Sequence, residues 1–300
     1  MKIFVTGATG FIGKHLVHQL VLEGHFVTVN INSQQEVDFA PNVALYKLRT
    51  DTISKDINFF KNESFDGVIH LASLYLTVHK PEEAVSLIDS NIGFATYLLE
   101  CVTQASLPWF INTGTFWQSF QNAAYAPVNL YAATKQAFES IATYYIETNK
   151  IQFVTLRLSD TYGPGDTRPK VFNLWNKIAK SGETLDMSPG EQVIDISFID
   201  DIVAAFILLA NMLFKKAVTI KNGTTFAVKA DKCYTLKELA IIFEKATGQK
   251  LNINWGSRAY RDREVMLPWR NGMVVPGWAP KVSIENGIKR FLNLIDKTSQ

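Results

Sequence analysis

Gly7-Ala8-Thr9-Gly10-Phe11-Ile12-Gly13 follows directly on the β-rich run 2–6 and opens a stretch with helical periodicity. Glycines at this spacing, between a strand and a helix, form a loop that receives a dinucleotide. Gly7 permits the tight turn, Gly10 lets backbone approach a pyrophosphate, and Gly13 allows helix and strand to pack closely. The helix N-terminus then offers free N–H groups and the positive end of its dipole to the phosphates. A glycine turn of purely structural use reads the same way in isolation, so the rest of the chain has to decide.

Working outward, β-rich runs are expected at 2–6, 26–31, 67–71, 109–113 and 152–158, with helices at 12–22, 81–104 and 130–149. In the first helix Ile12, Leu16, Leu20 and Val21 make an apolar stripe. Such alternation predicts an α/β fold, a Rossmann-type doubly wound parallel sheet covered on both faces. After Tyr162-Gly163-Pro164-Gly165 the pattern changes. A helix at 171–181 precedes an irregular Ser188-Pro189-Gly190 and a strand-like 193–198. Helices at 200–214, 235–247 and 283–295 follow, with Trp- and Pro-containing loops at 254–280. The expected division is a dinucleotide-binding domain over 1–165, joined by elements of 193–228. A smaller C-terminal substrate-binding lobe takes 166–192 and 229–300.

Three hundred residues suit such an architecture. A net charge of +2, with no long block of one sign, argues against nucleic acid or an anionic membrane as partner. The longest apolar run, 202–210, is too short to span a bilayer and reads as a buried helix. Cys101 and Cys233 lack zinc-ligand spacing and cannot make a disulfide framework, so no metal site is expected. The N-terminus has no cleavage region, and the cytoplasm is the expected location.

The second informative stretch is Tyr131-Ala132-Ala133-Thr134-Lys135. Tyrosine and lysine at this spacing project from one helix face. A free phenol titrates at about 10, and a nearby ammonium stabilises the phenolate, which makes the group usable as acid or base. A surface Tyr–Lys pair is common on helices, and only the glycine loop lifts this one above that reading. Upstream, Phe110-Ile111-Asn112-Thr113 ends in a hydroxyl able to bond a substrate oxygen beside Tyr131. The residue closing the second strand, where a carboxylate would bond a ribose 2′-hydroxyl, is Ile31, followed by Asn32 and Ser33. NADP(H) is therefore expected, with NAD(H) as the alternative.

Gly-x-x-Gly-x-x-Gly, His70-Leu71-Ala72, Asn91-Ile92-Gly93, Thr113, Tyr131-x-x-x-Lys135, Tyr162-Gly163-Pro164-Gly165 and Gly277-Trp278-x-Pro280 resemble extended short-chain dehydrogenases/reductases of the NAD-dependent epimerase/dehydratase family. The resemblance implies that Thr113 bonds the sugar oxygen, Tyr131 exchanges the proton and Lys135 holds the nicotinamide ribose. It also implies cofactor contacts at Gly7, Thr9, Gly10, Phe11, Ile12, Gly13, Asn32, Ser33, Leu71, Ala72 and Asn91. His70 reads equally as a packed core histidine, and Asn91 equally as a helix cap. Thr115 is a second candidate hydroxyl for the substrate, or a strand-end residue.

Departures narrow the activity. Sugar-nucleotide 4,6-dehydratases of the family carry Asp-Glu where this chain has Gly114-Thr115, which argues against dehydration. Dual epimerase–reductases need a Cys/His pair that no matching segment supplies. Where many members have arginine, this chain has Ile194, so diphosphate charge has to be met by Arg168, Lys170, Arg261 or Arg263, with Arg263 the first choice.

The segments 112–118, 127–135 and 188–192 resemble CDP-abequose and CDP-paratose synthase-type reductases. That implies NADPH-dependent reduction, by a homodimer, of the C4 keto group of a nucleotide-diphosphate-linked 4-keto-deoxy sugar, with CDP the expected nucleotide, in making a deoxyhexose for bacterial surface polysaccharide. An NAD-dependent 4-epimerase uses the same triad. A non-catalytic NADP-sensing protein is the reading from another class.

Overall fold

The computed structural model describes residues 1–31, 39–49, 51–216 and 219–293. The first half runs β1 (Lys2–Thr6), α1 (Phe11–Leu22), β2 (Phe26–Asn30), β3 (Ala44–Tyr46), α2 (Ile53–Glu63), β4 (Gly67–His70), α3 (Ala84–Ile88), α4 (Phe94–Gln104), β5 (Trp109–Thr115), α5 (Leu130–Glu147) and β6 (Gln152–Leu158). Then come β7 (Asp160–Tyr162), α6 (Val171–Ser181), β8 (Leu185–Met187), β9 (Val193–Ile194), β10 (Ile196–Phe198), α7 (Ile199–Lys215), β11 (Thr225–Val228), β12 (Tyr234–Thr235), α8 (Leu236–Thr247), β13 (Ile253–Trp255) and α9 (Ile284–Phe291).

Seven strands form one parallel sheet in the order β3-β2-β1-β4-β5-β6-β11. The expected doubly wound α/β architecture is the one found. Period-2 alternation sends neighbouring side chains to opposite faces. Ile3, Val5, Ile69, Ile111 and Val154 pack under α1 and α7. Phe4, Val68, Phe110 and Phe153 pack under α2, α4 and α5. Both faces are therefore apolar, and the strands read as nearly continuous hydrophobic runs.

Several differences from expectation carry structural meaning. β5 runs two residues further than the sequence pattern suggested, so Thr113 lies within the strand and Thr115 ends it. The run 193–198 is broken at Asp195, whose carboxylate accepts from Ala230 N and from the Arg270 guanidinium, both at 2.8 Å. The single helix expected over 81–104 is interrupted by a π-helical turn, Asp89–Gly93, which holds the buried Asn91. Its buried stripe in α1 is Gly13, Leu16, Val17 and Leu20, with Ile12 and Val21 at the margin.

The chain after β11 is pinned to α7. Asp201 accepts from the backbone N–H of Lys281 at 2.9 Å and of Val282 at 3.1 Å, while its carbonyl accepts from Trp278 Nε1 at 2.9 Å. Among the described residues no helix is long and apolar enough to cross a membrane. Replacing Asp201 by alanine strands two backbone donors, and a lost partner of this kind costs about 2 kcal/mol. The urea midpoint of Asp201→Ala should fall accordingly with an unchanged slope, while an unaltered midpoint would show that the C-terminal segment is held by other contacts.

Candidate active site

A cavity of about 340 Å³ opens at the carboxyl ends of β1, β4, β5 and β6, the position where open parallel sheets bind ligands. Its first wall is the glycine loop. Gly7 has φ +71°, and a Cβ there would meet Ala72 N at 2.5 Å and Leu71 C at 2.7 Å. A Cβ on Gly13 would stand 2.2 Å from Gly7 O and 2.6 Å from Ala8 Cα. Gly10 is different: within the protein a Cβ there would approach only Gly7 O, at 3.3 Å. Two glycines thus let protein meet protein, and the third leaves space on the cavity side.

The N-terminus of α1, capped by Gly10, has no side chain bonding its free N–H groups. An uncapped helix start beside an open glycine fits a dinucleotide pyrophosphate. Gly7, Gly10, Phe11, Ile12, Gly13 and Leu71 line the cavity. Thr9 is exposed outside it, and Ala72 packs behind Gly7 with its N–H donating to Thr6 Oγ1 at 3.3 Å. Asn32 and Ser33 lie outside the described residues. His70 is a packed core histidine, buried among Phe94, Phe110 and Phe138 with Nδ1 2.7 Å from Thr6 Oγ1. Burial pushes it down to about 3, so it is neutral at physiological pH.

The opposite wall brings Thr113, Tyr131 and Lys135 to the same cavity. Helix α5 starts where it does because Asn129 Oδ1 accepts from Ala132 N at 2.9 Å. The same amide donates to the carbonyls of Leu76 and Thr77, at 3.2 and 2.9 Å, and so ties the loop after β4 to the helix start. Thr113 Oγ1 is buried and has no partner within the protein. Such an orphaned hydroxyl asks for a ligand oxygen. Asn91, expected in the cofactor channel or as a cap, does neither. From its π turn it accepts from Leu74 N at 2.8 Å and from Ser73 Oγ at 3.1 Å, and donates to Leu74 O and Thr134 Oγ1, both at 3.0 Å. It holds the 73–74 loop against α5.

The electrostatics differ from the sequence expectation. Burial raises the Tyr131 phenol well above its ordinary range, and the Tyr75 hydroxyl adds to this; Ser73 and Arg168 draw it back down. Desolvation of the phenolate outweighs the helix-neighbour effect, and the ammonium is itself a buried charge. Burial lowers Lys135 to about 8, with Glu139 acting the other way. Lys135 therefore remains mostly charged at neutral pH.

Besides Lys135, three cations line the cavity, each beside an acid. Arg168 forks onto Asp166, both contacts at 2.7 Å, and also donates to Thr161; Lys170 meets Asp160 at 2.9 Å, and Arg261 meets Glu264 at 2.8 Å. The Arg263 expectation fails: its guanidinium stacks 4.3 Å from the Phe120 ring centroid and does not line the cavity. Arg261, two positions earlier, takes the cavity-facing place. Thr115 lines the cavity, but its hydroxyl accepts from Trp117 N at 3.3 Å as a turn cap. Ser73, Tyr75, Asp160 and Trp269 also line it and were missed. Only the Asp160–Thr161 step before Tyr162-Gly163-Pro164 offered a sequence signal, since loop residues carry no periodicity. Among the described residues no group of three or more His, Cys, Asp or Glu side chains could hold a metal ion.

The family described as "NAD dependent epimerase/dehydratase family" matches residues 3–220. A CDP-abequose synthase of Salmonella muenchen is 29% identical over 297 residues, spanning 98% of this chain and 97% of that one. Among solved structures, UDP-glucose 4-epimerase of Thermotoga maritima with UDP-glucose superposes with a TM-score of 0.82 at 22% identity, covering 98% of each chain. The UDP-glucose 4-epimerase of Stenotrophomonas maltophila with bound NAD gives a TM-score of 0.84 at 17% identity, covering 98% of this chain and 97% of the other. These structural likenesses establish the fold.

The Lys135 shift has a stability consequence in the dinucleotide-free protein. Below about pH 8 folded and unfolded chains both keep the proton, and the buried charge is a standing cost. Between about 8 and 10.5 the unfolded chain holds more proton than the folded one, so this residue's contribution rises with pH. Lys135→Met should therefore be the more stable protein at pH 7, by roughly 3 kcal/mol. Denaturant titrations of both proteins should converge as pH approaches 10.5; a gap independent of pH would refute the burial account.

Proposed function

This chain belongs to the NAD dependent epimerase/dehydratase family, and from that premise we propose that it reduces the C4 keto group of a nucleotide-linked deoxy sugar. The observation that carries the reading is the buried, unpartnered Thr113 hydroxyl lining one cavity with Tyr131, Lys135 and the glycine loop. When bound, NADPH supplies the hydride to the keto carbon. Tyr131 gives its phenolic proton to the oxygen as charge develops there, and Thr113 donates a hydrogen bond to the same oxygen. Lys135 holds the nicotinamide ribose and keeps a positive charge next to the reacting groups. The uncapped start of α1 receives the pyrophosphate. Residues 1–165 with 193–228 would serve the dinucleotide, and 166–192 with 229–300 the sugar nucleotide; a cavity lined by both Gly10 and Trp269 supports that division.

The near full-length similarity to a CDP-abequose synthase supports reduction and a cytidine nucleotide. Ile31, which leaves no carboxylate at the end of β2, supports NADPH over NADH. The epimerase fold likeness favours the second reading, a nucleotide-sugar 4-epimerase that oxidises and re-reduces one carbon on retained NAD. Exposed Val85, Ile88 and Tyr144 on α3 and α5 support pairing of two copies through those helices.

NADPH oxidation assayed against CDP-, dTDP- and GDP-linked 4-keto-deoxy sugars separates the readings, since an epimerase consumes no cofactor. Turnover is expected with the CDP-linked substrate. Purified protein carrying stoichiometric NAD would favour the epimerase, and a smaller Kd for NADH than for NADPH would reverse the cofactor assignment. Tyr131→Phe should lose about a hundredfold or more of turnover while its Kd for NADPH stays close to that of the unmodified protein. Retained turnover would remove Tyr131 as the acid.

A further inference from the structure

The sheet order β3-β2-β1-β4-β5 sets the direction in which a dinucleotide must run. Thr113 stands in β5, and the glycine loop follows β1. A cofactor with its nicotinamide near Tyr131 and its pyrophosphate at the start of α1 therefore carries its adenosine onward, past β1, to the ends of β2 and β3. The residue that reads the adenosine ribose closes β2. Here it is Ile31, which offers the ribose 2′ position neither a hydrogen-bonding side chain nor a charge. What binds there is decided by the end of the neighbouring strand.

β3 runs parallel to β2, with Asn30 opposite Tyr46. The Ile31 N–H donates to Tyr46 O at 2.9 Å and the Leu48 N–H to Asn30 Oδ1 at 3.1 Å, so the register continues beyond the last paired residues. Lys47 is thereby held alongside Ile31, at a strand spacing of about 4.8 Å. Alternation sets which way it points. Tyr46 and Leu48 pack into the cluster under α2, whereas Val29 and Ile31 belong to the cluster under α1. Lys47, between Tyr46 and Leu48, projects on the α1 side, the same side as Ile31. It is exposed, and among the described residues it has no hydrogen bond or ion pair. Asp56, on α2, does not neutralise it: that carboxylate is on the opposite face and is taken up by Tyr46, Tyr97 and Arg49 N.

We infer that Lys47 is the specificity-determining residue for the cofactor, its ammonium binding the 2′-phosphate on the adenosine ribose of NADPH. The inference rests on the proposed use of NADPH and names the group that selects it. An exposed, unpaired ammonium beside a phosphate makes a charge-assisted contact, and lysine on its flexible stem serves as a point charge for such a group. The apolar Ile31 beside it puts no carboxylate where the phosphate would be repelled. NADH brings no anion to this place, so the lysine has nothing to hold when NADH binds.

Calorimetric titration of the unmodified protein and Lys47→Met with NADPH, NADH and 2′,5′-ADP tests this without any turnover. The unmodified protein should bind NADPH more tightly than NADH. In Lys47→Met the Kd for NADPH and for 2′,5′-ADP should rise about tenfold, the loss of one hydrogen bond between charged groups. The Kd for NADH should stay where it was, which also shows that the variant is folded. An NADPH preference left intact in Lys47→Met would overturn the inference while leaving NADPH as the cofactor. An equal rise for NADPH and NADH would do the same, because it would report a general loss of positive charge and not a contact with the 2′-phosphate. A smaller Kd for NADH than for NADPH in the unmodified protein would overturn the cofactor reading and this inference with it.

Discussion

The contact between Gly13 and the Gly7 carbonyl is the constraint on which the site depends. A single methyl at Gly13 would sit 2.2 Å from that oxygen, closer than atoms approach, so α1 lies directly on the turn leaving β1. The close packing aims the start of α1 into the cavity. Gly7 passes the constraint on, because it abuts the backbone of Leu71 and Ala72 at the end of β4. The loop that follows carries Ser73 and Tyr75, and Asn91 and Asn129 fasten that loop to α5. One close approach therefore sets the distance between cofactor cradle and Tyr131.

Within that frame, burial acts oppositely on the two titrating residues. It raises the phenol and lowers the ammonium, so each is pushed toward its neutral form. A buried neutral phenol holds its proton firmly until an oxygen in the cavity develops negative charge, which suits an acid that acts once per turnover. Lys135, brought to about 8, still carries its charge at neutral pH, and Glu139 one turn along α5 helps to keep it there. The cost is borne by the fold as a whole, which is stable enough to bury an ammonium.

The strands of the sheet were legible because both faces are buried and the runs 2–6 and 152–158 are rich in β-branched, aromatic and leucine side chains. Long apolar helices such as α7 were legible for the same reason. Elements with thin apolar signals were not. β3 has three residues, mostly exposed, and α2 buries only Asp56 and Phe60. Asp56 is held by three hydrogen bonds, from the hydroxyls of Tyr46 and Tyr97 and from Arg49 N, which no periodicity announces. At the site, the glycine loop and the Tyr–Lys pair were readable because spacing fixes which face they share. The choice between Arg261 and Arg263 was not, since an irregular segment has no period to say which side chain turns inward.

Gly114 shows how packing, and not just the absence of an acid, shapes the chemistry. A Cβ there would lie 2.8 Å from Arg157 Cγ and from Gln118 Oε1, and 2.9 Å from Glu139 Oε1. Restoring a carboxylate at this position would set a negative group against Glu139 and break a network whose members satisfy one another. In this chain Gly114 serves the packing of that network. The same network, by turning inward on itself, leaves Thr113 as the polar group that β5 offers the cavity free of any partner. One unpartnered hydroxyl and one phenol lining a common cavity can move a single proton to an oxygen, which is the requirement for reducing a carbonyl.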